Sequence, residues 1–230
     1  MPTSPLPPEM LEALRQFDSP TVANAVEHFR VRDPVTGFAS LELACQFPER
    51  GPMVGYAVTC TADSSTPGDT RPSRLLQVWE ALEASPQPAI LVIQYAGPDR
   101  LRACVAGDMI ATAVQQYGGR GIVTDAAVRD RSGIKAKTTD FQVFCPGSVV
   151  SHGYPIFIEF NVPVTICGLT MQPGDLLHGD ESGLLTVPLA VAAETPEQAR
   201  AVRARESEFF EYLKSSEFNF AGLRQRLKGH

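Results

Sequence analysis

The chain has 230 residues, of which 43% are hydrophobic, 20% charged and 8% aromatic, a balance that supports a sizeable packed core and excludes disorder. A net charge of −6 with scattered Lys and Arg excludes the basic footprint of a nucleic-acid binder, and small anions would be repelled unless Arg or a metal ion offsets the charge locally. The apolar run Ala89 to Ile93 is too short to cross a bilayer and "MPTSPLPPEML" lacks a secretory signal, so a cytoplasmic protein with no membrane partner is expected.

Asp18-Ser19-Pro20 before "TVANAVEHF" reads as an N-cap, a first-turn Pro and an amphipathic helix to about Phe29. "MVGYAVTCTA" (53–62) follows as a strand and "DSSTPGDTRP" as a loop. "SRLLQVWEALEA" then has helical periodicity, with Leu75, Leu76, Trp79 and Leu82 placed on one inward face. "PAILVIQYAG" (88–97) has the continuous apolar character of a strand covered on both sides, which implies α/β layering. Next, "CVAGDMIATAVQQYGGRGIVTDAAVRD" gives a Gly-Asp helix start, an Ala-rich helix, a Gly-Gly stop and a second buried strand, a βαβ-like unit.

Beyond it lie short β segments, "FQVFC", "PIFIEF", "PVTICGL" and "GLLTVP", separated by turns. A charged helix, "TPEQARAVRARESEFFEYLKSS", and a polar tail occupy about 194–230. With no repeat or linker, a single domain over 1–230 is expected: a layered α/β fold with a β-rich C-terminal half and a C-terminal helix. The five cysteines are odd in number and lack metal-ligand spacing, so they read as reduced fillers.

Chemistry concentrates between residues 107 and 130. Asp108 stands at a helix start, where free amides of Met109 and Ile110 favour an anion and Gly107 lets a ligand approach the backbone. Capping of its own helix is the alternative role for Asp108. In a strand-helix-strand unit the helix start and the end of the next strand share one sheet edge, so Asp108, Arg129 and Asp130 can converge. Arg129 suits a carboxylate or a developing enolate, Asp130 is a hard ligand suited to Mg2+ or Mn2+, and Asp125 can fix the Arg129 rotamer. The structural alternative is an Arg/Asp salt bridge that pins a turn.

"GDMIATAVQQYGGRGIVTDAAVRD", an Asp, twenty residues and then Arg-Asp, resembles the signature of the class II pyruvate aldolases of the 4-hydroxy-4-methyl-2-oxoglutarate aldolase type. That superfamily also holds the regulator of ribonuclease E activity A. "MQPGDLLHGDESGLLTVP" and "DSPTVANAV" extend the resemblance over most of 15–213. It implies a compact α/β sandwich of the swivelling β/β/α kind, assembled as a homotrimer or homohexamer. It implies Asp130 as the direct ligand of a divalent metal, Mg2+ or Mn2+, and Arg129 as the residue binding pyruvate and stabilising its enolate. Asp108 would hold a metal-bound water, and the amides near Gly107, Met109 and Ile110 the pyruvate carboxylate. A Glu from the C-terminal helix of a neighbouring subunit would approach the site, Glu206 or Glu208, with Glu206 favoured.

The implied function is retro-aldol cleavage of a 4-hydroxy-2-oxo acid to pyruvate and a second carbonyl compound, with oxaloacetate decarboxylation as a side activity and a small 2-oxo acid as partner. The alternative is a non-catalytic oligomeric regulator of a protein partner. A methyltransferase is disfavoured because no Gly-rich cofactor loop precedes an acidic ribose-binding residue. Two departures bear on substrate fit. Ala126 stands where the family has Gly, which would cost about 1 kcal/mol if the position needs positive φ. The segment 151–162 also differs, bringing His152, Tyr154 and Glu159. His152 is open to substrate contact or to plain solvation, and His178 reads as structural. Lys135 and Lys137 follow the motif, but no Schiff base is required.

Overall fold

Residues 6–227 are described by the computed structural model; the ends of the expected 1–230 unit, 1–5 and 228–230, lie outside the described residues. In chain order the elements are α1 (Pro8–Leu14), α2 (Ser19–His28), β1 (Ala44–Cys45), β2 (Met53–Asp63), α3 (Leu75–Glu83), β3 (Ala89–Tyr95), β4 (Cys104–Ala106), α4 (Asp108–Gln116), β5 (Gly119–Thr124), β6 (Ala127–Val128), α5 (Arg131–Lys137), β7 (Gln142–Cys145), β8 (Ile156–Phe160), β9 (Val164–Ile166), β10 (Leu169–Met171), β11 (Leu176–Asp180), β12 (Gly183–Val187), α6 (Thr195–Lys214) and α7 (Phe220–Leu227).

The long apolar strands form the centre of one sheet in the order β1-β7-β5-β3-β2-β11-β12, with β8 also pairing β2. Strands β2, β3, β5 and β7 run parallel, and β11 and β12 join antiparallel. The C-terminal half is β-rich as expected: β8, β11 and β12 extend the same sheet, and β9 and β10 form a hairpin of their own. Ile90, Leu91, Val92 and Ile93 of β3 are wholly buried because both faces are covered. On one face, Val58, Leu91, Ile93 and Ile122 meet Leu82 of α3, Val114 of α4 and Ile134 of α5. On the other, Ile90, Val92 and Phe144 meet Ile166 and Met171 of the β9–β10 hairpin. At the far end of β2, Val54 and Tyr56 pack with Leu14, Val22 and Val202 from α1, α2 and α6. Burying each such aliphatic side chain contributes about 1.5–3 kcal/mol.

The start of α2 follows the sequence: Asp18 is the N-cap and accepts from the Thr21 N–H at 2.8 Å. Leu76 corrects the expected inward face of α3. It lies about 100° around the helix from Leu75 and is 72% exposed, while Val78, Ala81 and Leu82 are the buried residues. Trp79 is only partly buried and stacks on Tyr117 at 5.7 Å. Helix α7 occupies part of the expected tail; Tyr212 Oη ties its approach by donating to the Asn219 carbonyl at 3.0 Å.

Candidate active site at the start of helix α4

Strand β6 pairs in parallel with β4, Cys104 opposite Ala127 and Ala106 opposite Val128, and the Arg129 N–H donates to the Ala106 carbonyl at 3.0 Å. Two parallel strands that end together deliver the residues after them to one place. Gly107–Asp108 and Arg129–Asp130 consequently emerge side by side. This corrects the expected route, because the main-sheet strand β5 stops at Thr124 and a separate two-stranded sheet does the positioning. A Cβ on Gly107 would lie 3.0 Å from Asp130 Oδ2 and 3.2 Å from Arg129 Cγ, so a larger residue there would press on both side chains even though its φ is ordinary.

Arg129 and Asp130 form an ion pair, Nε 3.1 Å from Oδ2, with both side chains partly open to solvent. Asp130 itself is left-handed, φ 56° and ψ 35°, and its carbonyl accepts from the Ile134 N–H at 2.8 Å to open α5. That conformation costs about 1–2 kcal/mol for a non-glycine residue, least for Asp and Asn. Backbone strain of this kind clusters at functional sites.

Gly107, not Asp108, is the N-cap of α4. The first intrahelical bond runs from the Ala111 N–H to the Gly107 carbonyl at 3.0 Å, leaving the amides of Asp108, Met109 and Ile110 ahead of it at the positive end of the helix. Lys137, one turn beyond Gly133 on α5, donates its ammonium to Asp108 Oδ2 and holds that carboxyl below the usual carboxylate range. Gly133 makes room: a Cβ there would sit 2.8 Å from Asp108 Oδ2.

A cavity of about 550 Å³ opens over this corner, reached by Gly107, Asp108, Arg129, Asp130 and His152, with apolar walls from α3 and α4. Among the described residues no group of three or more His, Cys, Asp or Glu side chains is placed to hold a metal. A closed, all-protein metal cage is not what these donors would build. One carboxylate at the edge of an open cavity instead fits a hard divalent cation that keeps most of its waters.

Asp125 does not support Arg129. Its Oδ1 accepts from the Tyr95 N–H at 2.7 Å, closing the end of β3, and burial pushes its carboxyl pKa up. The cause is the strand break at 125–126, which turns Asp125 toward β3. Ala126 carries no positive φ, so replacing Gly there imposes no backbone strain. Glu206 lies on α6 beside a different groove, lined also by Asn24, Phe210 and Leu227, and does not reach the cavity of its own chain. His178 is wholly buried between Ser19 Oγ and the Leu14 carbonyl. Lys135 pairs with Glu49 at 2.6 Å. Burial pushes the Cys60 and Cys145 thiols up, Cys145 to about 11, which makes them inert fillers. Sequence reasoning missed Gly133 and Lys137 as neighbours of Asp108; their i, i+4 spacing was the available signal.

A family model described as RraA-like, aldolase/RraA, matches residues 19–186. The chain is 33% identical over 177 residues to a Halalkalibacterium halodurans protein named "Putative 4-hydroxy-4-methyl-2-oxoglutarate aldolase", covering 76% of this chain and 78% of that protein. It is 30% identical over 124 residues to an uncharacterised protein of Methanocaldococcus jannaschii, 54% of this chain and 59% of that one. Among solved structures, Streptomyces coelicolor RraAS2, titled an unusual member of the RNase ES inhibitor RraA protein family, superposes with a TM-score of 0.64 at 23% identity. That likeness covers 93% of this chain and all of RraAS2, and it speaks to the fold.

Proposed function

The chain belongs to the RraA-like aldolase/RraA family, and from that premise we propose that it cleaves a 4-hydroxy-2-oxo acid by a divalent-metal-dependent retro-aldol reaction, releasing pyruvate. The observation that carries the reading is the meeting of the α4 amides, Arg129 and Asp130 around one cavity. Asp130 is the residue to hold Mg2+ or Mn2+, which when bound supplies Lewis-acid polarisation of the 2-oxo group.

The amides of Met109 and Ile110 and the Arg129 guanidinium bind the substrate carboxylate at the positive end of α4. Asp108, kept ionised by Lys137, accepts the C4 hydroxyl proton, directly or through one water. As that proton leaves, the C4–O bond becomes a carbonyl and the C3–C4 bond breaks. Its electron pair passes to C3 as the enolate of pyruvate, and protonation at C3 completes the reaction. Arg129 stabilises the enolate oxygen as its charge develops, where preorganised electrostatics lower the barrier most. Oxaloacetate decarboxylation arrives at the same enolate and is the expected side activity. In a homotrimer or homohexamer, Glu206 of one copy serves the cavity of the next.

Pyruvate release from 4-hydroxy-2-oxo acids with and without a second carboxylate on C4, 4-hydroxy-4-methyl-2-oxoglutarate among them, and from oxaloacetate, measured with Mg2+ and with EDTA, tests the proposal. Turnover that needs Mg2+ and is lost in Asp130→Ala supports it. No metal-dependent pyruvate release from any of these acids would favour a non-catalytic regulator of a protein partner.

A further inference from the structure

Pyruvate occupies only part of a cavity of this size, and what surrounds the remainder determines what lies beyond C4 of the substrate. Ile110, Ala113 and Tyr117 fall on one stripe of α4 at i, i+3 and i+7. Facing them on α3 are Leu75 and Trp79 at i and i+4, and the Trp79 ring stacks on Tyr117 with an angle of 6° between planes. Between these two stripes an apolar trough runs from the polar corner at Gly107, with Leu75, Trp79, Ile110 and Ala113 all lining the cavity.

No uncommitted guanidinium or ammonium enters that trough among the described residues. Arg129 is bound to Asp130 at the polar corner. Arg74, next to Leu75, is held over the Phe160 ring at 4.8 Å and by the Ile158 carbonyl. Arg71 is paired with Asp69 at 2.6 Å. His152, on the opposite rim, has Nδ1 2.8 Å from the Gly153 carbonyl. A second carboxylate beyond C4 would therefore lose hydration without gaining a cation, whereas an aromatic or alkyl group would gain burial against Trp79 and Leu75.

We propose that the C4 substituent taken by this chain is apolar, aryl or medium alkyl, so that the second product is a hydrophobic aldehyde or ketone and not a carboxylated one. The inference rests on the proposed function, since it assumes that the 2-oxo acid end sits at Gly107, Arg129 and Asp130.

The test uses two acids that cannot undergo retro-aldol cleavage because they lack the C4 hydroxyl, 2-oxo-4-phenylbutanoate and 2-oxoadipate, each titrated calorimetrically into the full chain with Mg2+. Trp79 is the only tryptophan of the sequence, so its emission reports occupancy of the trough, and exchange of pyruvate methyl protons in D2O independently reads the 2-oxo acid end. We expect the phenyl acid to bind at least about tenfold more tightly, on the scale of apolar pocket discrimination, and to change Trp79 emission. Ala113→Leu, which fills the trough while leaving the polar corner, should weaken the phenyl acid more than 2-oxoadipate. Equal affinities, tighter 2-oxoadipate, or phenyl binding without a Trp79 response would overturn the inference while proton exchange still supports the aldolase reading. Absence of proton exchange would overturn both.

Discussion

Lys137 shapes the acid-base chemistry of the site through one contact, its ammonium on Asp108 Oδ2. Because that contact lowers the Asp108 pKa, the basic carboxylate form persists to lower pH than in an isolated Asp. Lys137→Met returns the pKa toward its ordinary value, so the acidic limb of the kcat/KM profile for pyruvate formation should move to higher pH. A limb that stays in place would remove Asp108 from the role of proton acceptor. Arg129 offers a second prediction at this scale. Arg129→Ala should lower kcat by about 10² to 10³, the usual cost of one preorganised donor at a developing oxyanion. Arg129→Lys should restore little, because an ammonium lacks the planar fork. Asp108, Arg129 and Asp130 were legible as a set from their spacing and from the family resemblance. Asp125 was misread because a strand break between Thr124 and Ala127 rotates it out of line with Arg129, and nothing in "VTDAAVRD" announces that break.

Elements with strong local punctuation were legible, and those defined by distant partners were not. Helix α2 was announced by Asp18 and Pro20, and β3 by its unbroken apolar run. Strands β4 and β6, three and two residues long, exist because each supplies the other's hydrogen bonds across more than twenty residues of chain, a pairing no local window contains. Strand β11 carries His178, structural as expected and held by Ser19 Oγ at 3.0 Å from Nδ1 and by the Leu14 carbonyl at 3.3 Å from Nε2. Burial depresses its pKa despite the opposing charges of Asp180 and Asp18. The unfolded chain takes up this proton near pH 6.5 and the folded one resists it. Stability from His178 is thus complete above about pH 6.5 and is lost as pH falls below it toward the folded pKa. Melting temperatures between pH 7.5 and 5.5 should fall less steeply in His178→Gln than in the parent; parallel slopes would assign the acid sensitivity elsewhere.

For the molecule as a whole, the α/β layering followed from buried strands interleaved with amphipathic helices, while the strand order of the eight-stranded sheet did not. The pairing of β2 with β11 joins residues over 100 positions apart, and loop-closing contacts of that range leave no sequence period. Assembly is equally non-local: α6 carries Glu206 away from the cavity of its own chain. If Glu206 serves a neighbouring copy, mixing inactive Asp130→Ala and Glu206→Gln proteins under subunit exchange should regain part of the parent turnover, since mixed interfaces contain one intact site. No regain after confirmed exchange would confine catalysis to one chain. Crystals soaked with pyruvate and Mg2+ examine the corner of Asp108, Arg129 and Asp130 directly. We predict the cation on the Asp130 carboxylate and the pyruvate carboxylate on the Met109 and Ile110 amides, with the Arg129 guanidinium within hydrogen-bond reach of pyruvate. Pyruvate bound elsewhere, or a cation that ignores Asp130 at saturating concentration, would contradict the proposal.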